Sequence, residues 1–408
     1  MMKALNNNAH PLESLLKQHC PNGVEFKELG EVCELKRGRI ISKKYLKDNV
    51  GEYPVYSSQT QNNGIFGYIN SYDFNGEFVS WTTDGANAGS VFYINGKFSV
   101  TNVCGLLSKK TDSISMRFLY FVLSITAKDY VNWSSPNPKL MSNKMAKIKI
   151  PLPPLEIQQK IVDILDAFTE LQAELQAELQ ARRKQYEYYR NKLLSFEELQ
   201  RRTDMLNGGG LKLVTLGEIG TFTRGNGLTK SDFVEVGVPC IHYGQIHTHY
   251  HNYTHSTTSF VSEEKARKLK KAKCGDLVIA GVSEDKDCVC KAVVYLGKQE
   301  ACVSGDTFIF SHSQNPKFIG YMFQTENFNT FKHKYAQGAK VLRVHNKHLE
   351  NFQIPLPPLA VQNEIVELLD KFDTLANDLT NGIPAEIEAR KKQYEYYRER
   401  LLSFIAKD

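Results

Sequence analysis

The sequence predicts an α/β (α+β) fold with two globular domains and two long helical regions, arranged as a pseudo-two-fold internal repeat. The first observation is that residues 150–196 return as residues 354–404. Both copies begin with IPLPP and carry KQYEYYR near their end. The second observation is that short β-branched and aromatic runs, separated by turn residues, precede each copy. A repeat of this length indicates one structural unit used twice.

The repeat divides the 408 residues into four segments, and the chain is long enough for domains with separate cores. We expect the first globular domain over residues 1–150 and the first helical spacer over residues 151–206. We expect the second globular domain over residues 207–354 and the second helical spacer over residues 355–408.

The two globular segments share a scaffold pattern. In the first, strands are predicted for EYPVYSS, GIFGYI, GEFVSW, SVFYI and KFSVTNVCGLL. A helix is predicted for ISMRFLYFVLSITAKDYV, where Phe118, Phe121, Val122 and Ile125 lie on one face. In the second segment, KLVTLGEIGTFTRGNGL echoes FKELGEVCELKRGRI of the first, but the middles of the two segments diverge. A shared scaffold with different surfaces is what two recognition modules for different ligands need.

Both helical regions start after prolines, which favour a helix N-terminus. Apolar residues then recur three or four positions apart, as they do in a coiled coil. The first helix is expected to run from Leu155 to Phe196, about 63 Å at about 1.5 Å per residue, and a seam this long needs a partner helix. The predicted seam residues are Ile161, Leu165, Phe168, Leu171, Leu175, Leu179, Tyr186, Leu193, Ile365, Leu369, Phe372, Leu375, Tyr394 and Leu401.

The two spacers differ in their middles. Residues 169–180 are three near-copies of one four-residue word, TELQAELQAELQ. This stretch is either a simple helical spacer or an adjustable ruler, because one word adds about 6 Å of helix. In the second spacer, Asn381, Gly382 and Pro384 predict a break, with Pro384 opening a new helix. The first spacer is therefore expected to be continuous and the second jointed.

The formal charge is distributed unevenly along the chain. The total is +6, with +11 in the two globular segments and −5 in the two spacers. Basic globular parts favour a polyanionic partner, and acidic spacers favour protein contacts. The eight cysteines are irregularly spaced without a C-x-x-C pair, which favours reduced thiols in the cytoplasm. The start lacks an apolar signal region, and no run of 18 apolar residues occurs, so no membrane partner is expected.

The motif search identifies no catalytic residues. The sequence lacks a G-x-x-x-x-G-K-[ST] phosphate loop and a Rossmann glycine motif between strand and helix. NPKL and NPKF, at 137–140 and 315–318, lack the second proline of the N-P-P-aromatic motif of amino-methyltransferases. A histidine cluster (His242, His247, His249, His251, His255) and the Cys288-x-Cys290 pair are of residue types that can bind a metal. A solvated or DNA-facing loop is favoured for the histidines and a buried strand for the cysteines, so no metal site is predicted.

Turn-rich segments supply candidates for nucleic-acid contact. Arg and Lys pair with guanine edges or phosphates, and Asn and Gln pair with adenine edges. The run KARKLKKAK (265–273) is either a solvated face or a phosphate-binding segment. The candidates in the first half are Lys36, Arg37, Arg39, Lys43, Lys44, Ser58, Gln59, Gln61, Asn62, Trp81, Thr83, Asn137 and Lys139. Those in the second half are Arg224, Asn226, Lys230, His242, Tyr243, Gln245, His247, Lys286, Lys340 and Arg343.

Taken together, these motifs make the chain resemble the DNA-specificity (S) subunit of type I restriction-modification enzymes. The residues that carry the resemblance are PNGVEFKELGEV (21–32), the paired IPLPP segments, the RKQYEYYR and KKQYEYYR blocks and the AELQ words. The resemblance implies two target-recognition domains that read the halves of a split, asymmetric DNA target, and two helical regions packed as an antiparallel coiled coil that sets the gap. The role of tuning this gap is carried over to residues 169–180.

The resemblance also implies partners, and it leaves competing hypotheses. The expected partners are double-stranded DNA, two modification (methyltransferase) subunits and the restriction subunits. The chain itself is expected to bind no cofactor, since S-adenosylmethionine, ATP and Mg belong to those subunits. The first alternative is an enzyme in its own right, which the missing cofactor and phosphate motifs disfavour. The second is a coiled-coil protein that never touches DNA, which salt-dependent DNA binding would exclude.

Overall fold

The chain forms two compact units in a computed structural model that describes residue 18 and residues 20–134, 136–206, 210–377 and 382–404. Unit 1 comprises residues 1–176 and 387–408, and unit 2 comprises residues 177–386. Each unit therefore contains one globular region together with helical segments from both repeats. The predicted division instead gives each helical repeat a segment of its own, and it stays a prediction.

Unit 1 contains the first eight strands, most of them in one sheet. Its six-stranded sheet has the order β2-β7-β5-β6-β3-β4, in which only the β3–β6 pair is parallel, and β1 pairs separately with β8. The strands are β1 (Phe26–Glu28), β2 (Cys33–Arg37), β3 (Tyr53–Tyr56), β4 (Ile65–Ile69), β5 (Phe74–Thr82), β6 (Val91–Val100), β7 (Cys104–Lys109) and β8 (Lys149–Pro151). The helices are α1 (Leu29–Val32), α2 (Lys43–Asp48), α3 (Met116–Thr126), α4 (Ser142–Met145) and the start of α5 (Leu155–Leu193).

The strand pattern of unit 1 corrects one prediction. SVFYI and KFSV were predicted as parts of separate strands, but both belong to β6, which pairs with β5 through Asn95-Gly96. Gly96 lies opposite Gly76, and both have positive φ, 112° and 123°. Because glycine adopts this conformation without a steric penalty, the two strands bend together here and no hairpin forms. The predicted helix over MRFLYFVLSIT is confirmed, and its buried residues include Phe118, Phe121 and Val122.

Unit 2 contains two five-stranded sheets, ordered β10-β20-β16-β18-β13 and β11-β14-β12-β19-β15, and the pairs β9–β22 and β17–β21. The strands are β9 (Lys212–Thr215), β10 (Gly220–Arg224), β11 (Phe233–Val234), β12 (Val238–Ile241), β13 (Tyr253–Thr254), β14 (Ser259–Val261), β15 (Lys271–Ala272), β16 (Leu277–Ala280), β17 (Val282–Ser283), β18 (Ala292–Tyr295), β19 (Ala301–Val303), β20 (Thr307–His312), β21 (Leu342–Arg343) and β22 (Gln353–Leu356). The helices are the end of α5, α6 (Phe196–Met205), α7 (Leu216–Ile219), α8 (Tyr243–Thr248), α9 (Glu263–Ala266), α10 (Pro316–Met322), α11 (Glu326–Tyr335), α12 (Asn346–Glu350), α13 (Leu359–Asn377) and the start of α14 (Ile383–Leu402).

In each unit, a helix of one repeat packs against a helix of the other repeat. In unit 1, Phe168 of α5 stacks on Tyr397 of α14, with 5.5 Å between ring centroids. In unit 2 the repeat-equivalent pair, Phe372 of α13 and Tyr189 of α5, stacks at 5.2 Å. Each globular core therefore packs against the start of one repeat and the end of the other, and the predicted pseudo-two-fold fold class is confirmed.

The helices pack antiparallel, as can be followed within unit 2. Tyr189 of α5 contacts Phe372, whereas Arg202 of α6, further along the chain, forms an ion pair with the earlier residue Glu364. The predicted jointed second spacer is also confirmed, because α13 ends at Asn377 and α14 begins at Ile383, with Pro384 in its first turn. Asn381 lies outside the described residues.

A matched pair of buried glutamines fixes the start of each repeat to its globular core. Gln158 is fully buried, and its Nε2 donates to the carbonyl oxygens of Ser113 and Pro153, each at 2.8 Å. Its Oε1 accepts from the Ser115 N–H at 2.8 Å. In unit 2, the equivalent Gln362 makes three hydrogen bonds of the same pattern to Pro357 O, Gln314 Oε1 and Asn315 N.

Two details of the predicted seam are wrong, and one needs a different interpretation. Leu375 is 42% exposed, and Asp373 and Ala376 take the buried positions instead. The first helix ends at Leu193 and not at Phe196, because the Ser195 hydroxyl accepts from the Glu198 N–H and caps α6. Ile161, Leu165, Ile365 and Leu369 are buried as predicted, but they belong to the two large globular cores.

The eight cysteines are all free thiols, and five of them are buried. Burial raises the pKa of the Cys33, Cys104, Cys240 and Cys290 thiols to about 12. Among the described helices, none has the length and apolar character needed to cross a bilayer.

Candidate nucleic-acid interface

Five segments of unit 1 are tied together by hydrogen bonds into one surface, formed by residues 37–39, 57–64, 83–90, 101–103 and 136–139, which we call loop surface 1. The Asn87 amide donates to Ser58 O at 3.0 Å, and the Thr101 hydroxyl donates to the Ser57 hydroxyl at 3.0 Å. The Gly85 N–H donates to Pro138 O at 3.0 Å. The surface therefore consists of loops that are distant in sequence but share a common frame.

The basic candidates of unit 1 lie at or near the edge of this surface. Arg37 donates from Nη2 to Asn102 O at 2.9 Å. Arg39 forms an ion pair with Asp73 at 2.8 Å, and this contact raises the pKa of the Arg39 guanidinium. Lys36 is less available, because its ammonium lies 2.9 Å from Glu34. Lys43 and Lys44 are exposed on the first turn of α2.

The loop after β3 presents amide side chains in an unusual backbone conformation. Asn62 and Asn63 are exposed and have φ values of 51° and 52°, a region that non-glycine residues rarely adopt. The loop is closed by the Ser57 N–H, which donates to Gly64 O at 3.0 Å, and by the Gln59 side chain, which donates to Ile65 O. The Gln61 side chain lies outside the described part of the chain. Asn62 is thus held at the tip of a closed loop.

Trp81 and Thr83 were predicted as contact residues, and the structure makes both of them internal. Trp81 is fully buried and donates from Nε1 to Leu140 O at 2.9 Å. Thr83 is fully buried, and its hydroxyl donates to Val103 O at 3.0 Å. They position loop surface 1 and do not reach a ligand. The sequence could not exclude them, because Ser80 and Thr82 on the other face of β5 are buried as well.

The segment before α4 adds a further cation to loop surface 1. Lys139 is exposed, and its backbone pairs with that of Asp84 and of Asn132. Asn137 is exposed nearby. The sequence analysis missed Trp133, which is 56% exposed in this segment. Its signal is an aromatic residue within a run of polar turn residues, where a core role is not expected.

Unit 2 has an equivalent surface, loop surface 2, formed by residues 224–227, 281–283, 304–306 and 337–345. Arg224 donates from Nε to Gly305 O at 2.9 Å, as Arg37 does to Asn102 O in unit 1. Arg343 pairs with Val282 in register, as Lys139 pairs with Asp84. The two units therefore place a cation at the same two positions of their scaffolds.

The surroundings of these cations differ between the units. In loop surface 2, Asp306 lies 3.4 Å from Arg343 and 3.8 Å from Arg224, so one carboxylate serves both guanidinium groups. In loop surface 1, Lys139 has no such carboxylate partner among the described residues. The paired cations are common to both surfaces, and the neighbouring side chains set them apart.

The segment 242–247 is mainly structural, which corrects two further candidates. His242 and Gln245 are each 7% exposed, and they cap α8 reciprocally: His242 Nδ1 accepts from the Gly244 N–H, and Gln245 Oε1 accepts from the His242 N–H. Burial lowers the pKa of both His242 and His247. Half-buried His247 contacts Val282 O at 3.2 Å, and the Tyr243 N–H donates to the Ser304 hydroxyl at 2.9 Å.

The remaining candidates of unit 2 are exposed. Lys230 begins a short 3₁₀ turn, Lys286 lies in the loop after β17, and Lys340 lies in the loop before β21. Asn226 uses its amide to hold the basic run, donating to Lys268 O and accepting from the Lys270 N–H, both at 2.8 Å. Within the described residues, no three His, Cys, Asp or Glu side chains gather as a metal site.

Comparison with known proteins decides the family. A family model described as "Type I restriction modification DNA specificity domain" matches residues 21–182 and again residues 209–389. The chain belongs to the type I specificity subunits. A putative type I specificity subunit of Mycoplasma pneumoniae is 34% identical over 383 residues, which cover 93% of this chain and 97% of the relative. One from Haemophilus influenzae is 30% identical, covering 98% and 100%.

A solved structure supports the fold of this specificity subunit. The type I restriction-modification S subunit from M. genitalium aligns over 99% of both chains, with a TM-score of 0.55 and 17% identity. The predicted family and the two-fold occurrence of its DNA-specificity domain are confirmed. As a specificity subunit, the chain is the recognition component of its system and not the catalytic one.

Proposed function

We propose that this specificity subunit reads a split, asymmetric DNA target, with loop surface 1 on one half-site and loop surface 2 on the other. The observation that carries the proposal is the pair of surfaces built on one scaffold, with cations at matched positions (Arg37 and Lys139, Arg224 and Arg343) and different neighbours. Matched cations suit the phosphate backbone, which every DNA sequence presents, and divergent neighbours suit different bases.

The individual contacts are proposed for side chains that are exposed or only half-buried. The side chains proposed to reach DNA from loop surface 1 are Arg37, Arg39, Asn62, Asn137 and Lys139, with Lys43 and Lys44 beside them. In unit 2, the proposed contacts are Arg224, Tyr243, His247, Lys340 and Arg343, with Asn226, Lys230 and Lys286 nearby. Ser58, Gln59 and Lys36 are assigned supporting roles, because Ser58 binds Asn87 of a neighbouring loop and the other two are engaged within their own loop or strand. Trp81, Thr83, His242 and Gln245 are not proposed as contacts.

The partners are those of a type I system. We propose that the helical repeats dock two modification subunits, which methylate adenine with S-adenosylmethionine, and that restriction subunits using ATP and Mg join through them. On this proposal, no residue of this chain carries out chemistry. We also propose that α5 sets the gap between the half-sites, since its 39 residues give an unbroken helix of about 58 Å.

The deciding experiment is a methylome of cells that carry this chain with its partner methyltransferase, compared with cells that lack the chain. We expect a bipartite methylated motif with a fixed gap that depends on the chain. Deleting residues 173–176, one AELQ word, should shorten the gap by one to two base pairs, because about 6 Å of helix is lost and base pairs are about 3.4 Å apart. A methylome that does not change with the chain would favour the DNA-independent coiled-coil scaffold.

A further inference from the structure

We propose that the basic run of residues 267–273 in unit 2 is a phosphate-binding segment beside the half-site read by loop surface 2. This inference rests on the proposed DNA-reading function and adds a site to it. The run contributes affinity and salt dependence and does not read bases.

The run is amphipathic, with its cations on the outer side. Leu269 is only 8% exposed and packs in a small core with Leu228 and Cys240. Ala272 is fully buried in a neighbouring core with Ile241 and Val303. Arg267, Lys268, Lys270 and Lys273 are exposed. Residues 271–272 also form β15, which pairs with β19. The cations are therefore carried on an ordered backbone whose apolar side is anchored.

The run is joined to loop surface 2 through Asn226. This side chain bonds to the backbone of Lys268 and Lys270, each at 2.8 Å. Asn226 follows Gly225, whose N–H donates to Thr307 O at 3.0 Å, two residues along the chain from Gly305, whose carbonyl Arg224 binds. Arg224 and the basic run are thus held by the same short loop, so one DNA backbone can meet both.

Carboxylates neutralise only part of the run. Lys265, just before the run, pairs with Asp232 at 2.9 Å, and Lys268 within the run pairs with exposed Glu264 at 3.3 Å. Within the described residues, Arg267, Lys270 and Lys273 form no ion pair. Glu263 is exposed nearby in sequence, and Glu300 is exposed just before β19, the strand that pairs with β15. An exposed pair such as Lys268–Glu264 is weak, so a phosphate can replace the glutamate as the partner of this lysine.

The test is the salt dependence of DNA binding by the full chain with its partner methyltransferase, on a duplex that carries the methylated motif. Each phosphate contact contributes about 0.9 to the slope of log K against log salt. We expect K268Q/K270Q to lower that slope by about 1.8. Between 50 and 200 mM salt, the wild-type complex should then lose about 12-fold more affinity than the variant. The methylated motif should stay unchanged.

Two controls separate charge from folding. K268R/K270R keeps both charges and should keep the wild-type slope. K212Q/K334Q removes two exposed lysines, of β9 and α11, that lie outside the loop surfaces and the helical repeats, and it should also leave the slope unchanged. A wild-type slope in K268Q/K270Q would overturn the inference, and so would a changed motif, because the lysines would then read bases. If the wild-type complex itself shows no motif-dependent binding, the proposed function fails and not this site alone.

Discussion

Replacing Gln158 with methionine should destabilise unit 1 by about 3 kcal/mol. Methionine fills a similar volume but cannot replace the three hydrogen bonds to Ser113 O, Pro153 O and Ser115 N. Pro153 is buried, so leaving its carbonyl without a hydrogen-bond donor should cost most of the roughly 1–3 kcal/mol typical of an unsatisfied buried group. Ser113 is exposed and Ser115 is half-buried, so water can replace part of the hydrogen bonding that their backbone groups lose.

Tryptophan fluorescence is the assay, because Trp81 and Trp133 are the two tryptophans of the chain and both lie in unit 1. With a typical dependence of the unfolding free energy on urea, 3 kcal/mol corresponds to a midpoint about 1–3 M lower. Q362M makes the equivalent change in unit 2 and should leave the fluorescence transition in place. Q159M is the neighbouring control, since Gln159 is exposed. A free energy of unfolding in Q158M within about 0.5 kcal/mol of wild type would refute the reasoning.

Three further predictions concern single positions. Gly105→Ala should cost about 3 kcal/mol or more, because the new Cβ would lie 2.1 Å from the ring of buried Trp81, and a red-shifted tryptophan emission would report it. Burial lowers the pKa of His312 from 6.5 to about 4, so on acidification the unfolded state binds a proton before the folded state does. The free energy of unfolding of unit 2 should therefore fall by up to about 3 kcal/mol as pH falls from 6.5 to 4. Hydrogen exchange of unit 2 should show this loss in wild type but not in H312L. Asn62→Ala should lower the stability of unit 1 by about 1 kcal/mol, because alanine disfavours the positive φ at this position, whereas Asn62→Gly should not. Both variants lack the amide, so methylome analysis should show the same altered half-site for both.

The duplicated scaffold could be predicted from the sequence because both copies keep the residues that build it. The IPLPP starts, the apolar spacing of Ile161 and Leu165 and the Pro384 break are local signals, and each has its predicted structural outcome. Leu375 shows where local spacing fails. Asp373 takes the inner position, and its carboxylate lies 3.0 Å from His251, a residue 122 positions away. Helix periodicity contains no information about such a partner.

The candidate site was harder to predict than the fold. Arg37 and Lys139 are brought to one surface, as their residue types suggested. Trp81 is of an equally suitable type, but its indole fits against Gly105 in the core. Whether a side chain in a loop or strand end faces ligand or interior depends on non-local packing, because residues of both faces of β5, such as Ser80 and Trp81, are buried. Residue type alone therefore predicts more DNA contacts than there are exposed side chains to make them.

The exchange of repeat partners has a consequence for synthesis on the ribosome. Unit 2 is one continuous segment, residues 177–386, and can begin to fold once that segment has emerged. Unit 1 precedes unit 2 along the chain but needs residues 387–408, including Leu401 and Leu402 in its core, which are made after unit 2. Domains usually fold in the order of their synthesis. Here the unit that begins the chain is completed after the unit that follows it, so a ribosome that stops at residue 386 releases a chain with unit 2 whole and unit 1 unfinished.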